Sequence, residues 1–253
     1  MDKHFELTDK FIINAFGIKL FQIKCTRKIK YADVGDLGGY IEKEDNLSGD
    51  AWVYGNARVY GNAWVYGNAR VSGDAQVSGD AQVYGYAQVY GNARVYSNAW
   101  VSGDAQVSGN ARVYGNARVY GYAWVSGDAQ VYGDAQVYGY ARVYSNAWVS
   151  GDAQVYGYAR VSGDAQVYGY ARVSGNAQVA NNNEHCGFDC FGSVGRHTHA
   201  YKTQSGKVEI ICGCFRGSIE EFEAQVKKTH QGNEFERQYI AIAEVIKIKF
   251  GLK

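Results

Sequence analysis

Histidine and cysteine residues are concentrated in the last third of the chain, where they could form a metal site. They are His185, Cys186, Cys190, His197, His199, Cys212 and Cys214. Zinc is bound by such side chains, and a CxC strand could face an HxH strand. The spacing is not CxxC, however, and alternate residues of a strand share a face without converging on one point. We therefore predict no metal and keep zinc as the alternative, with Cys186, Cys190, His197, His199, Cys212 and Cys214 as its candidate ligands.

The overall composition predicts a soluble protein inside the cell. Lys and Arg number 26 against 25 Asp and Glu, so the net charge of +1 creates no field to attract nucleic acid or an anionic membrane. The N-terminus lacks the apolar run of a signal peptide, and no stretch reaches the roughly 18 apolar residues of a membrane span. The five cysteines are an odd number, which favours reduced thiols over disulfides. We expect a cytoplasmic location and neither a membrane nor a nucleic-acid partner.

The middle of the chain consists of a repeated six-residue sequence motif. Ala recurs every six residues from Ala51 to Ala177, in 22 uninterrupted units, and Val follows two residues after each Ala. A six-residue period is neither the 3.6 of a helix nor the 2 of a strand, so the chain must turn a corner once per unit. Ala and Val point to one side, and Gly followed by Asn, Asp or Tyr makes the corner. The pattern predicts a solenoid whose coils stack by parallel strand pairing.

The repeat resembles the hexapeptide-repeat left-handed β-helix, in which an aliphatic residue is followed four residues later by a small one. Val53 and Ala57 are such a pair, and Ile41 and Leu47 continue the phase of the valines upstream. The resemblance covers residues 41–182. It implies three units per 18-residue coil of triangular section, so that the 22 units form seven coils and one extra side. The fold class we predict is an all-β solenoid, a left-handed parallel β-helix with a small β cap and a small α+β module.

The two flanks have a different composition, because Lys and Glu are absent from residues 51–182 and abundant outside them. Residues 1–40 predict a β-hairpin around Phe16-Gly17, which would cover the exposed strand edge of the first coil. Residues 183–253 predict a ββαα module, with strands at about 197–203 and 207–213. Its helices begin with capping-box spacing, at Ser218 with Glu221 and Asn233 with Glu236, and Phe222, Val226, Tyr239, Ile242 and Val245 supply their apolar faces.

Both flanks resemble end modules of hexapeptide-repeat proteins encoded by bacteriophages and prophages, which are often labelled hexapeptide transferases. The resemblance lies in GDLGGYIEKEDNLS before the repeat and in CGCFRGSIEEFEAQVKKTH after it. It implies a viral or mobile-element origin, with the host cytoplasm as the place of action, and it implies no particular chemistry.

Aromatic residues collect at one corner of the predicted coil. Residues 18 apart lie directly above one another, about 4.8 Å away, so identical side chains form ladders. Six tyrosines share this corner: Tyr120, Tyr138 and Tyr156 follow Val, whereas Tyr122, Tyr140 and Tyr158 follow Gly. Tyr96, Tyr114 and Tyr132 form a shorter ladder, and Arg142 and Arg160 stack on another face. Outward tyrosines could simply be good strand formers that hold coils together, or they could offer an aromatic patch to a partner chain, carbohydrate or nucleotide.

The rival functional class is an acyltransferase that uses acyl-CoA. Acyltransferases on this fold resemble one another in a catalytic His beside a coil and a loop extending from one corner, and a general base must reach its proton. Residues 51–182 contain no His, Cys, Glu or Lys, and no insertion interrupts the repeat. A flank would therefore have to supply the base. A virion or adhesion component is the third class.

We predict a non-enzymatic binding or structural scaffold without a cofactor. It would be phage-encoded and would occupy or sequester a host protein or a small ligand, such as a defence component or a signalling nucleotide. We also predict a homo-oligomer, with a trimer favoured, that assembles through the sides of the prism. The predicted contact residues are Tyr120, Tyr122, Tyr138, Tyr140, Tyr156, Tyr158, Arg196, His197, His199, Phe215 and Arg216.

Overall fold

A computed structural model describes residues 3–252 and begins with three strands that lead into a solenoid. They are β1 (Phe5–Ile13), β2 (Lys19–Cys25) and β3 (Leu37–Ile41), and a short 3-10 helix follows at Glu44–Asn46. The solenoid then consists of two-residue strands, one per repeat unit. They are β4 (Trp52–Val53), β5 (Arg58–Val59), β6 (Trp64–Val65), β7 (Arg70–Val71), β8 (Gln76–Val77), β9 (Gln82–Val83), β10 (Gln88–Val89), β11 (Arg94–Val95), β12 (Trp100–Val101), β13 (Gln106–Val107), β14 (Arg112–Val113), β15 (Arg118–Val119), β16 (Trp124–Val125), β17 (Gln130–Val131), β18 (Gln136–Val137), β19 (Arg142–Val143), β20 (Trp148–Val149), β21 (Gln154–Val155), β22 (Arg160–Val161), β23 (Gln166–Val167), β24 (Arg172–Val173) and β25 (Gln178–Val179).

These strands form the three faces of a prism, each a parallel sheet in which every third strand is a neighbour. Face 1 runs from β3 through β5 to β23, face 2 from β4 to β25, and face 3 from β6 to β24. Partners lie 18 residues apart in register, as Arg142 pairs with Arg160. The turns number about eight, because two units upstream of Ala51 belong to the solenoid: Ile41 pairs with Val59, and Leu47 bridges Val65. The β-solenoid predicted from the repeat is therefore confirmed.

The interior of the prism contains the repeated Ala and Val side chains, all of which are buried. The corners depend on a left-handed backbone, as at Gly115, whose φ is 71°. A Cβ at Gly115 would lie 2.9 Å from the amide nitrogen of Gly133 in the next turn. Ser97 and Ser145 replace this Gly in their repeat units, at two different corners of the prism, with φ 60°, a conformation that costs an L-residue about 1 to 2 kcal/mol. Gly is therefore required at most corners by both conformation and space.

Side chains satisfy the backbone groups at the two ends of the solenoid. At the first turn, His4 Nε2 donates to the carbonyl of Ala51 (2.9 Å) and the Asn46 amide donates to that of Ala63 (2.8 Å). After the last turn, Asn182 Oδ1 accepts from the amide of Gln166 (2.8 Å). The strand edges that a solenoid exposes are thereby capped with hydrogen bonds.

The N-terminal hairpin extends face 1 of the prism. Strands β1 and β2 pair antiparallel around a turn at Gly17, whose φ is 79°, and β2 pairs antiparallel with β3. Phe5 and Ile23 are buried against the first turns of the Ala and Val core. The hairpin predicted around Phe16-Gly17 is present and covers the beginning of the core.

The C-terminal module is a four-stranded antiparallel sheet with two helices. Its strands are β26 (His185–Phe191), β27 (Arg196–Lys202), β28 (Val208–Cys212) and β29 (Phe215–Gly217), adjacent in that order, and its helices are α1 (Ile219–His230) and α2 (Glu234–Phe250). The ββαα prediction included the two middle strands and both helices, and the structure adds β26 and β29. Strand β26 was missed although Cys186, Phe188 and Cys190 alternate with more polar residues, and β29 was missed because it has only three residues.

The helix starts follow the predicted caps with one difference. Ser218 and Glu221 form the expected reciprocal capping box. Asn233 Oδ1 accepts from the amide of Glu236 (3.1 Å), but the Glu236 carboxylate accepts from the amide of Gly232. Val245, predicted to lie on the apolar face of α2, is 48% exposed, and Ala243 and Ile246 are buried instead.

Candidate functional site

Six tyrosines form two stacked ladders at the corner between faces 3 and 2, and we call this set the tyrosine corner. The inner ladder is Tyr120, Tyr138 and Tyr156, with ring centroids 4.9 and 5.0 Å apart and planes 3° from parallel. The outer ladder is Tyr122, Tyr140 and Tyr158, with separations of 4.9 and 5.1 Å. The 18-residue register thus brings together all six residues that the sequence singled out.

The two ladders have different surroundings. In the inner ladder, the hydroxyl of Tyr120 donates to Gln136 Oε1 (3.2 Å), and burial raises the pKa of the Tyr120 and Tyr138 phenols. The outer tyrosines are exposed, at 58% for Tyr122 and 60% for Tyr158. The inner ladder therefore stabilises the coil, whereas the outer ladder is open to contact.

The parallel stacking determines which parts of the outer rings a partner can reach. Tyr140 lies between Tyr122 and Tyr158 in the stack. The ladder therefore presents mainly ring edges and hydroxyl groups along its length.

Two arginines lie beside the outer ladder. Arg142 and Arg160 stack in register on face 2, and together with Tyr122, Tyr140 and Tyr158 they line one groove of about 250 Å³. Asn176 and Gln204 complete its lining, and the amide of Gln204 donates to the carbonyl of Asn176 (2.9 Å). Arg142 also packs over the Trp124 ring, 5.6 Å from its centroid. Among residues 3–252 neither arginine has an acidic partner within ion-pair distance, so the groove is positively charged.

A third tyrosine ladder indicates that stacked tyrosines by themselves serve to hold adjacent turns of the solenoid together. Tyr96, Tyr114 and Tyr132 stack at 4.9 and 5.0 Å on the corner between faces 1 and 3, and the Tyr114 hydroxyl donates to Gln130 Oε1 (3.2 Å). At both of these corners, therefore, a tyrosine that follows Val donates a hydrogen bond to a Gln side chain in the next turn. The tyrosine corner differs from this arrangement by its second, exposed ladder.

The histidines of the C-terminal module form a buried hydrogen-bonded chain. His199 Nδ1 donates to the backbone carbonyl of Arg172 (2.9 Å), so its Nε2 accepts from His185 Nδ1 (3.1 Å). Burial lowers the pKa of His185 to about 4 and that of His199 to about 3. His197 lies on the same face of β27, and its Nδ1 donates to Asp189 Oδ1 (2.5 Å). Both buried rings are therefore neutral near pH 7.

The cysteines do not join these histidines. Cys212 is buried and accepts a hydrogen bond from Thr198 Oγ1 (3.3 Å), whereas Cys190 and Cys214 are exposed. Cys186 is half-buried, and burial raises the pKa of its thiol to about 11. In the part of the chain that the structure describes, no three His, Cys, Asp or Glu side chains are grouped so that they could hold a metal ion.

The remaining predicted contact residues fall into two separate places. Arg196 and His197 line one cavity at the end of the solenoid. Arg216 instead donates from Nε to Glu209 Oε1 (2.6 Å), and the Phe215 ring packs on Phe222 with centroids 5.5 Å apart. Phe215 and Arg216 therefore take part in contacts within the module and do not lie with the histidines.

Comparison with known proteins supports the repeat architecture. Seven segments of the chain match the family described as YdcK Beta solenoid repeat: residues 51–67, 63–79, 87–103, 105–115, 111–127, 135–151 and 153–169. The chain is a repeat β-solenoid protein. The matched segments cover less than half of its length, and all of them lie within the prism. No curated protein matches this β-solenoid chain. Neither α1 nor α2, the helices found between residues 3 and 252, is long and apolar enough to cross a membrane.

Three residues of the candidate site in the C-terminal module were missed by sequence reasoning. Asp189 orients His197 from a position eight residues upstream, a spacing that carries no recognised signal. Lys249 comes from α2 and lines the same cavity as His185, which only the tertiary fold reveals. Arg172 belongs to the last turn, where its backbone carbonyl accepts from His199. Arg172 could have been singled out from the sequence, because it lies in the last turn of the repeat, and that turn must contact the C-terminal module that follows it.

Proposed function

We propose that this β-solenoid is a non-enzymatic binding scaffold whose partner docks on the outer ladder of the tyrosine corner. The observation that carries the proposal is the exposed ladder of Tyr122, Tyr140 and Tyr158 beside the unpaired Arg142 and Arg160. Aromatic side chains and Arg are enriched at binding interfaces, whereas singly scattered aromatics are ordinary surface.

The chemistry of the groove indicates what the partner presents. The two arginines are neighbours in register, so their like charges repel each other unless an anion lies close to both. Tyrosine hydroxyl groups at the rim both donate and accept hydrogen bonds. The partner surface or ligand therefore carries carboxylate or phosphate groups flanked by polar groups that meet the phenol edges.

The setting of this function follows from the two flanks. The resemblance of GDLGGYIEKEDNLS and CGCFRGSIEEFEAQVKKTH to phage end modules supports a phage-encoded protein that acts in the host cytoplasm. There it occupies or sequesters a host protein or a small ligand, such as a defence component or a signalling nucleotide. A rigid prism that holds a row of contact groups at fixed spacing suits this role.

The prism also supports assembly with other copies. Trp100, Trp124 and Trp148 project outward from faces 3, 2 and 1 and are exposed. Large apolar groups on flat sides are suitable contact material for a homo-oligomer, for which we favour a trimer. Light scattering at tens of micromolar distinguishes the outcomes, since a monomeric mass contradicts this part of the proposal.

Replacement of the outer ladder tests the binding proposal. In the triple variant Tyr122→Asn, Tyr140→Asn and Tyr158→Asn, the side chain is one that the same corner already holds at Asn68 and Asn176. The fold should therefore remain intact while the contact surface is lost. Native mass spectrometry of the protein purified from infected cells should show a bound partner for the wild type and none for the variant.

The matched control removes another ladder. The variant Tyr96→Ser, Tyr114→Ser and Tyr132→Ser uses the residue found at Ser78 and Ser150 of that corner. It should retain the partner seen with the wild type. A partner that remains bound to the outer-ladder variant, or that is lost equally from both variants, would overturn the proposal.

A further inference from the structure

Two cavities lie between the last turns of the prism and the C-terminal module. One of about 340 Å³ is lined by side chains that include His185, Lys249 and Tyr168, and one of about 490 Å³ by others that include Arg172, Arg196 and Tyr170. Asp189 and His197 belong to the walls of both. Volumes of a few hundred Å³ are typical of small-molecule sites.

Unsatisfied polar atoms point to a ligand in the smaller cavity. Buried side-chain nitrogens and oxygens nearly always have hydrogen-bond partners. Within residues 3–252, the buried side-chain atoms that lack one are Asn14 Nδ2, His185 Nε2 and His197 Nε2. Both histidine atoms belong to residues that line the 340 Å³ cavity. Two side chains that line this cavity therefore each have a buried ring nitrogen without a hydrogen-bond partner among residues 3–252.

The hydrogen-bond chain determines what His185 requires. Because the His199 Nδ1 proton is donated to the Arg172 carbonyl, His199 Nε2 is the acceptor and the His185 proton lies on Nδ1. His185 Nε2 then carries a lone pair at neutral pH. A ligand atom that faces it must be a hydrogen-bond donor, such as a hydroxyl group.

A β-bulge orients the second nitrogen. The pairing of β26 with β27 shifts register between Phe188 and Phe191, which releases Asp189 from the regular ladder so that it accepts the Nδ1 proton of His197. A Cβ at Gly187 would lie 2.7 Å from His197 Cε1, so the glycine provides the space that the ring occupies. His197 is thus held by its Nδ1, and its buried Nε2 has no hydrogen-bond partner among residues 3–252.

The walls of both cavities carry charges of both signs: the smaller is lined by Lys249 and Asp189, and the larger by Arg172, Arg196, Asp152 and Asp189. Among residues 3–252, none of these three cations has an acidic partner within ion-pair distance. Lys249 Nζ donates to the backbone carbonyl of Asn182 (3.3 Å), another residue that lines the smaller cavity. An anionic group on the ligand is favoured beside Lys249.

We infer that this junction binds a phosphorylated sugar, either free or as part of a nucleotide. Its hydroxyl groups donate to His185 Nε2 and His197 Nε2, and its phosphate lies near Lys249, which lines the same cavity. A divalent metal fits less well, because Lys249 is beside the imidazoles and the described residues offer no third metal ligand. The site is separate from the tyrosine corner, and the inference does not depend on the function proposed for that corner.

Isothermal titration calorimetry on the full chain tests the ligand class. The probes are ribose 5-phosphate, AMP, ribose, inorganic phosphate and Zn²⁺. Ribose 5-phosphate or AMP should bind at least about tenfold more tightly than ribose or phosphate, since only they engage both sets of groups. Tighter binding of AMP identifies a nucleotide, and equal binding identifies the sugar phosphate alone. No binding of either at millimolar concentration, equal binding of inorganic phosphate, or a preference for Zn²⁺ would overturn the inference.

Two variants check the residues. Lys249→Met removes an exposed cation, and His185→Phe removes the acceptor while keeping a ring. Each should weaken binding of the better probe by about tenfold or more. If His185→Phe does not fold, the Lys249→Met variant still tests the proposed site. Its matched control is Lys227→Met, on the surface of α1. The outer-ladder variant should bind the probe like the wild type. Unchanged affinity in Lys249→Met, or an equal loss in Lys227→Met, contradicts the proposed site.

Discussion

The phenol rings of Tyr140 and Tyr158 are stacked, with their centroids 5.1 Å apart and their planes 5° from parallel. Their outward surfaces are therefore ring edges and hydroxyl groups. The hydroxyls of the outer ladder should contribute to partner binding separately from the rings. The triple variant Tyr122→Phe, Tyr140→Phe and Tyr158→Phe should keep the stacked rings and the fold while weakening partner binding about tenfold or more. The control is Tyr96→Phe, Tyr114→Phe and Tyr132→Phe, and full affinity in the outer variant would show that the hydroxyl groups are not used.

Val101 is fully buried in the column of valines. The variant Val101→Asp places an unpaired charge in the apolar core, and we expect it to lower the free energy of unfolding by at least about 4 kcal/mol or to prevent folding. Gln88→Asp, on the outward side of a strand, should change it by less than about 1 kcal/mol. Urea unfolding followed by far-UV circular dichroism measures both, and similar stability of the two variants would contradict the assignment of the interior.

Gly115 and Ser97 occupy the same corner, one turn apart, with φ of 71° and 60°. Gly115→Ala should destabilise the protein by about 1 to 2 kcal/mol, because it adds both backbone strain and a close contact with Gly133. Ser97→Gly should stabilise it by up to about 1 kcal/mol, since it relieves strain of the same kind. The midpoint of urea unfolding gives both values, and effects of the same sign would count against this account of the corners.

Asn46 and Asn182 cap opposite ends of the solenoid. Asn46→Ala leaves the buried carbonyl of Ala63 without its donor and should cost about 1 to 3 kcal/mol. Asn182→Ala exposes only the amide of Gln166 and should cost less. Hydrogen exchange of individual amides is the measurement. We expect faster exchange at Gln166 in Asn182→Ala and not in Asn46→Ala, and equal exchange in both would contradict the local role of these caps.

The buried pair His185 and His199 makes stability depend on pH. Their pKa values, about 4 and about 3 in the folded protein, lie below the 6.5 of an exposed histidine, so the unfolded chain binds more protons between these values. The stability that they contribute is complete above pH 6.5 and is lost as the pH falls towards 4, by about 3 kcal/mol for His185 alone. Unfolding measured at pH 7 and pH 4.5 should show a smaller difference for His185→Gln than for the wild type. An identical difference would mean that His185 is accessible to protons in the fold.

The repeated units could be predicted from the sequence because each one has the same pattern. Ala and Val point to one side, and the corner residue is one that can adopt a positive φ. The tyrosine ladders followed from the same 18-residue register. The neighbouring groove did not, although Tyr158 and Arg160 are separated only by Ala159, which points inward. A corner residue and the first strand residue after it therefore share the outer surface, which brings the arginines of face 2 next to the outer tyrosines of the corner.

The C-terminal site could not be predicted in the same way. The hydrogen bond between His197 and Asp189 depends on a bulge in β26, and no residue pattern in that segment indicates one. Lys249 reaches the cavity from α2, so its position depends on how the helices pack against the sheet. In the repeat, the spacing of residues along the sequence gives their relative positions in the fold. The C-terminal module, in contrast, is held together by contacts between residues far apart in the chain.

One unit of six residues advances the chain by one face of the prism, and three units complete a turn. Insertion or deletion of a single unit would therefore rotate everything downstream by a third of a revolution and shift it by about 1.6 Å along the axis. Loss of a whole turn would shorten the rod without rotating it. The number of units thus sets the angle between the two ends of the molecule, and with it which corner meets Gln204. Gain or loss of single units would therefore change the relative orientation of the two ends in steps while the interior stays the same.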